Sequence, residues 1–195
     1  MRTSILIASF LVAATMAFTA SAQRKVYFIP KAGLNVTTIT KTGGDWTTGT
    51  NFGLGIEWLI NPKIGIETGI YYSGYGTKNI DIANLNEKQT IELDYIQVPI
   101  AAKYYLYKGF NIFAGPQITY IINESVKPVH TSLAYNKDLS VNGLIGAGYQ
   151  FKFGLTFSAA YILGVTSIAQ PIYAANENTY NRRNQAFQFN MGWRF

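Results

Sequence analysis

The sequence predicts an all-β fold, an eight-stranded antiparallel up-and-down transmembrane β-barrel preceded by a cleaved signal peptide. Three observations carry that expectation. Apolar and polar residues alternate with period two through most of the chain, which gives each strand one greasy face. The joints between these segments are short and long in strict succession, as in the meander of a membrane barrel. Charged residues make up only 13% of a chain holding 14 Tyr, 12 Phe and 3 Trp, about half the usual charge of a soluble domain.

The amino end comes first. Arg2 gives a positive start, Ile5 to Phe18 is mostly apolar, and Ala20-Ser21-Ala22 offers small residues for a signal peptidase. That order of parts predicts a signal peptide over 1–22, cut after Ala22. An anchor helix fits less well, because Ser9 and Thr15 interrupt a short apolar stretch and Gln23-Arg24-Lys25 suits a mature start. Removing 22 of 195 residues leaves 173, residues 23–195, expected to form one barrel domain. That part has no continuous apolar run long enough to cross a bilayer as a helix.

Eight segments alternate, near 25–37, 49–60, 64–76, 91–107, 110–122, 138–151, 153–166 and 185–195. In the second, Phe52, Leu54, Ile56, Trp58 and Ile60 share one parity. In the last, Phe187, Phe189, Met191, Trp193 and Phe195 do the same. Asn61-Pro62-Lys63, Lys108-Gly109 and Phe151-Lys152-Phe153 read as tight turns, whereas 38–48, 77–90, 123–137 and 167–184 read as longer polar loops. The fourth segment conflicts with itself. Ile91, Leu93 and Tyr95 are odd, but Ile96, Val98, Ile100, Tyr104 and Leu106 are even, so a bulge or register change is expected near Tyr95. Pro30, Pro99 and Pro116 sit inside strands, where each forfeits a ladder hydrogen bond.

The orientation of the two faces decides the compartment. One face carries Gly33, Asn35, Gly53, Gly55, Gly69, Gln97, Asn111, Gln117, Asn142 and Ser158; the other carries nearly all the Ile, Leu, Val, Phe and Trp. An eight-stranded barrel is just wide enough for its own side chains to fill. Small and polar groups fit that lumen, and bulky groups need lipid outside, the reverse of a soluble calycin-like barrel. Trp58, Tyr107, Phe110, Phe151, Phe153, Trp193 and Phe195 lie near the turns, and Tyr72, Tyr75, Tyr120, Tyr161 and Tyr173 nearer the loops. Together they suggest two interfacial belts.

Lys31, Glu57, Glu67, Lys103 and Arg194 all fall on the inward parity. Glu57 and Glu67 are equidistant from Pro62, so hairpin pairing sets two carboxylates side by side, in need of cations. A structural plug of paired charges is the reading adopted, because buried charges are normally paired; a proton or ion path is the alternative. A narrow filled lumen argues against a general diffusion pore.

Composition excludes several chemistries. With no cysteine and a single His130, a zinc–thiolate site, an iron–sulfur cluster, a cysteine nucleophile and a multi-histidine metal site are impossible; no metal or cofactor is expected. The net charge of +6 is scattered rather than patched, and falls to +5 once Arg2 leaves, so no nucleic-acid partner is expected.

The run Tyr95-Ile96-Gln97-Val98-Pro99-Ile100-Ala101-Ala102-Lys103-Tyr104-Tyr105, then Gly109-Phe110 and Phe113-Ala114-Gly115-Pro116, resembles the PorT-type outer-membrane β-barrel domain family. Those are small Gram-negative barrels with a Y-x-x-(I/V)-P-x-x-x-K-Y strand, a tight turn and a G-P strand. The resemblance covers essentially the whole mature chain. It implies an outer-membrane location and no assigned biochemical activity; one branch is linked to protein secretion. Phe187, Phe189, Met191, Trp193 and Phe195 resemble the C-terminal signal read by the barrel-assembly machinery. A second resemblance points elsewhere. His130-Thr131-Ser132 is similar to the His-x-Ser pair of the outer-membrane lipid A deacylases, but the position of that family's Glu is Asn142 here, and a serine nucleophile needs base and orienting carboxylate together.

The functional expectation is therefore a non-enzymatic barrel with a structural, loop-mediated or envelope- and secretion-associated role. A deacylase-like hydrolase and a small-solute channel are the alternatives. Expected partners are outer-membrane lipid, lipopolysaccharide and the assembly machinery. The loops carry Lys41, Lys78, Lys88, Lys127, Lys137, Arg182 and Arg183, interleaved with Asp45, Asp81 and Glu87, so no clean basic patch emerges and the external partner stays unnamed.

Overall fold

The structure, a computed structural model, describes residues 26–40, 45–80, 89–127, 139–166 and 183–195. The proposed signal segment and His130, Thr131, Ser132 and Tyr173 lie outside them. Eight strands follow in order: β1 (Val26–Ile39), β2 (Thr47–Asn61), β3 (Ile64–Ile80), β4 (Gln89–Tyr107), β5 (Phe110–Lys127), β6 (Leu139–Gln150), β7 (Leu155–Gly164) and β8 (Asn184–Trp193). Each pairs antiparallel with its neighbour, and β8 closes on β1 through pairs such as Leu34↔Phe189 and Lys31↔Gly192. The sheet is a closed up-and-down barrel with no free edge, so its ladder groups are paired strand to strand.

Local chemistry sets the tight turns. Asn61 Oδ1 accepts from the backbone N–H of Lys63 at 2.8 Å and of Ile64 at 2.9 Å, a side-chain mimic of a backbone turn. Lys108 and Gly109 both adopt positive φ, 46° and 91°, the conformation of a two-residue hairpin turn matched to strand twist.

Bulky residues face outward. Leu54 is 65% exposed, Phe52 54%, Phe189 51% and Trp193 41%, whereas Asn35, Gln97, Gln117 and Asn142 are buried inside. An apolar exterior around a polar interior is the membrane-barrel arrangement. At the turn rim Tyr149, Phe151, Phe153 and Trp193 form a chain of ring contacts with centroids 4.8, 5.2 and 5.9 Å apart. At the loop rim Phe52 meets Tyr72, and Phe187 meets both Tyr161 and Trp46.

Three expectations are corrected. Tyr75 is not a belt residue: it is buried in the lumen, because β3 keeps Glu67, Tyr71, Ser73 and Tyr75 on one parity. Nor does β4 change face near Tyr95. Its odd residues point inward from Ile91 to Tyr105, so Ile91, Leu93 and Tyr95 are lumen residues. The register shift beside Tyr95 exists, but the extra residue is Ile122 on β5, since Asp94 pairs with Asn123 and Tyr95 with Ile121. Finally, β3 and β4 reach into 77–90, held by Thr77↔Ile91 pairing and by a bridge between Asp45 and Lys78.

Strand lengths differ around the barrel. β3, β4 and β5 have 17, 19 and 18 residues, whereas β7 and β8 have 10 each. About 9–11 tilted residues cross a hydrocarbon core, so the longer strands project past the lipid on the loop side.

Candidate functional site

The lumen near the turns is built on charge. Glu57 and Glu67 are direct cross-strand partners on β2 and β3. Lys103 of β4 lies 2.7 Å from Glu67 Oε2 and 3.5 Å from Glu57 Oε1. Lys31 of β1 donates from Nζ to Glu67 Oε1, and Arg194 Nε stands 3.3 Å from Glu57 Oε2. All five charged residues named from parity thus meet in one layer. Around them the Tyr105 hydroxyl donates to Glu57 Oε1, Arg194 Nη1 donates to Gln150 Oε1 at 2.7 Å, and the guanidinium stacks 3.4 Å from the Tyr27 ring centre. Glu57 is fully buried; a carboxylate there is tolerable only with cations and a hydroxyl around it.

A second layer closes the loop-side half, and its chemistry is apolar. Ile39, Tyr75, Ile91, Leu93, Tyr95, Leu144, Ile162 and Ala186, from six strands, meet in one buried cluster. Tyr75 and Tyr95 pack edge to face, centroids 5.3 Å apart, and Asn184 Nδ2 donates to the Tyr95 hydroxyl at 3.0 Å. In the sequence its Leu and Ile look like lipid-facing residues, and the signal that marks them as interior is the unbroken odd parity from Ile91 to Lys103.

Between the layers the lumen glycines have a specific use. The Tyr71 ring lies across Gly53 and Gly69, and a Cβ added at either would stand 2.8 Å from a ring carbon. Phe113 covers its cross-strand partner Gly146 in the same manner. Ser73, Gln97, Thr119, Ser140 and Asn142 complete the middle: Ser73 Oγ donates to Gln97 Oε1 at 2.9 Å and Asn142 Nδ2 to Thr119 Oγ1 at 3.2 Å.

The five C-terminal alternating residues, Phe187, Phe189, Met191, Trp193 and Phe195, all stand exposed on the outer face. Among the described residues no group of three or more His, Cys, Asp or Glu could hold a metal ion. At the loop rim, Lys78 and Arg183 are tied by their backbones to Asp45 and Thr40.

A closed barrel that is greasy outside and filled by a charged, a polar and an apolar layer of its own side chains defines an integral outer-membrane protein. Residues 16–170 match the family described as "Outer membrane protein beta-barrel domain", and the chain belongs to that family and resides in the outer membrane. No curated protein sequence matches it. Among solved structures it is similar to Neisserial surface protein A, with 13% identity, a TM-score of 0.56, and coverage of 88% of this chain and 98% of that one. It is also similar to OprG from Pseudomonas aeruginosa, with 12% identity, a TM-score of 0.53, and coverage of 89% and 97%. At such identity the likeness is one of fold.

Proposed function

We propose that the protein is a non-enzymatic barrel whose role is structural or is carried by its external loops, in an envelope- or secretion-associated setting. The observation that carries this reading is a lumen crossed by two side-chain layers, which leaves the lipid face and the two rims as the surfaces available to partners. The Tyr95-to-Lys103 run supports the resemblance to the PorT-type family, and nothing in it points to the branch linked to secretion. On this reading residues 1–22 direct export, Phe187 to Phe195 are read by the barrel-assembly machinery, and lipopolysaccharide surrounds the lysine-bearing loops.

The test is complementation of a deletion strain, scored by envelope integrity and by pull-down from intact envelopes. Replacing segments 81–88, 128–138 and 167–182 with Gly-Ser linkers should abolish partner capture while heat-modifiable gel mobility still reports a closed barrel. Full rescue and unchanged capture by that variant would remove the loops from the account.

The hydrolase alternative is weakened by one position. Asn142, where the deacylase resemblance requires its carboxylate, is buried in the lumen and bonded to Thr119, away from any acyl chain outside the wall. Incubation with lipid A should release no acyl chain, whether residue 130 is His or Ala; His130-dependent release would reinstate the enzyme reading.

A further inference from the structure

We propose that the middle of the lumen is a binding site for one small monovalent anion of the halide class, held rather than conducted. A cavity of about 60 Å³ lies directly beside the charged layer, bordered by Lys31, Glu67, Lys103, Tyr71, Gln97 and Gln117. A water-sized sphere needs roughly 10–15 Å³ by this measure, so the space accepts a halide and a few waters.

Charge and hydrogen bonding select the ligand. Among the described residues of the layer, Lys31, Lys103 and Arg194 face Glu57 and Glu67, an excess of one positive charge. An uncompensated charge in a low-dielectric interior is costly. Each ammonium offers three N–H donors, and neither Lys31 nor Lys103 exhausts its set on the two carboxylates. The cavity wall adds further buried donors: the Tyr71 hydroxyl is unpaired, and the Gln97 and Gln117 Nε2 atoms have the Tyr75 hydroxyl beside them but no well-formed bond in the protein. Asn111 Oδ1 is an unpaired acceptor on the same wall, but it is outnumbered, and Glu67 is already claimed by both lysines. A cation would meet two ammonium groups. A single negative charge restores neutrality and gives these poorly bonded donors a stronger common acceptor.

The test uses bromide on the full-length folded barrel. Crystals grown in sodium bromide should show an anomalous peak inside the barrel, in contact with Lys31 Nζ and at least one of Gln97 and Gln117. In detergent, bromide or chloride should raise the unfolding midpoint by about 3 °C over gluconate at equal ionic strength. Gln117→Leu, which keeps every charge, should remove most of that difference, and Lys31→Met should remove it entirely. If Lys31→Met fails to fold, Gln117→Leu with the anomalous map still decides. Water density alone, bromide only on the exterior, or an equal halide effect in both variants overturns the proposal.

Discussion

The turn-side and loop-side halves of the lumen fill the same cross-section by different physics. Near the turns Lys31, Glu57, Glu67, Lys103 and Arg194 interlock through directional ion pairs. Near the loops Tyr75, Ile91, Leu93, Tyr95 and Ile162 pack without charge. A charged layer loses most where the group removed was its partner's counter-charge, as Glu57 is for Arg194 among the described residues, because the group left behind is buried and unpaired. An apolar layer loses in proportion to the volume removed, since its neighbours relax only partly into the gap and leave a cavity. One strand serves both. Tyr95 and Lys103 stand eight residues apart on β4, about 26 Å of extended chain, with Pro99 between them, its carbonyl accepting from Thr68 Oγ1 at 2.8 Å.

That contrast yields a ranked set of measurements by urea unfolding in lipid. Glu57→Gln, which takes the counter-charge from Arg194 and half of it from Lys103, should cost about 3–5 kcal/mol. Combining it with Lys103→Met should cost less than the sum of the two, and strict additivity would dissolve the idea of a coupled layer. Leu93→Ala in the apolar half should cost about 2–4 kcal/mol, with Leu93→Met close to neutral; a large loss for Met would mean the layer is not governed by volume. Between the layers Gly69→Ala should cost about 1–3 kcal/mol, because its Cβ would stand 2.8 Å from Gly55 Cα and from the Tyr71 ring. Adding Tyr71→Ala should recover only part, as the backbone contact remains. Smallest of all, Lys78→Ala at the exposed rim should stay within about 0.5 kcal/mol of wild type, since Lys78 meets Asp45 through its backbone.

The same contrast explains what the sequence disclosed. Five inward charges are conspicuous in a chain with so few, so parity alone assembled the turn-side layer. Leu93 and Ile162 look like the lipid-facing residues around them, and period two cannot mark an apolar residue as interior unless the parity is carried across the whole strand. Tyr75 reads as a belt residue for the same reason, although it shares its parity with the inward Glu67 on the same strand. The extra residue Ile122 has no signal in the sequence, because the bulge lies on β5 and leaves β4, where the apparent parity conflict falls, regular. The glycines announced a narrow lumen but not their partners: the pairing of Tyr71 with Gly53 and Gly69 arises from neighbouring strands and has no local signature.

Single-channel recording in planar bilayers tests the filled lumen most directly. The wild-type barrel should give no stable openings beyond an ion-sized leak, and openings should appear only when Lys31 and Glu67 are shortened together with Leu93 and Tyr95. Steady porin-sized conductance from the unaltered chain would contradict the two-layer account.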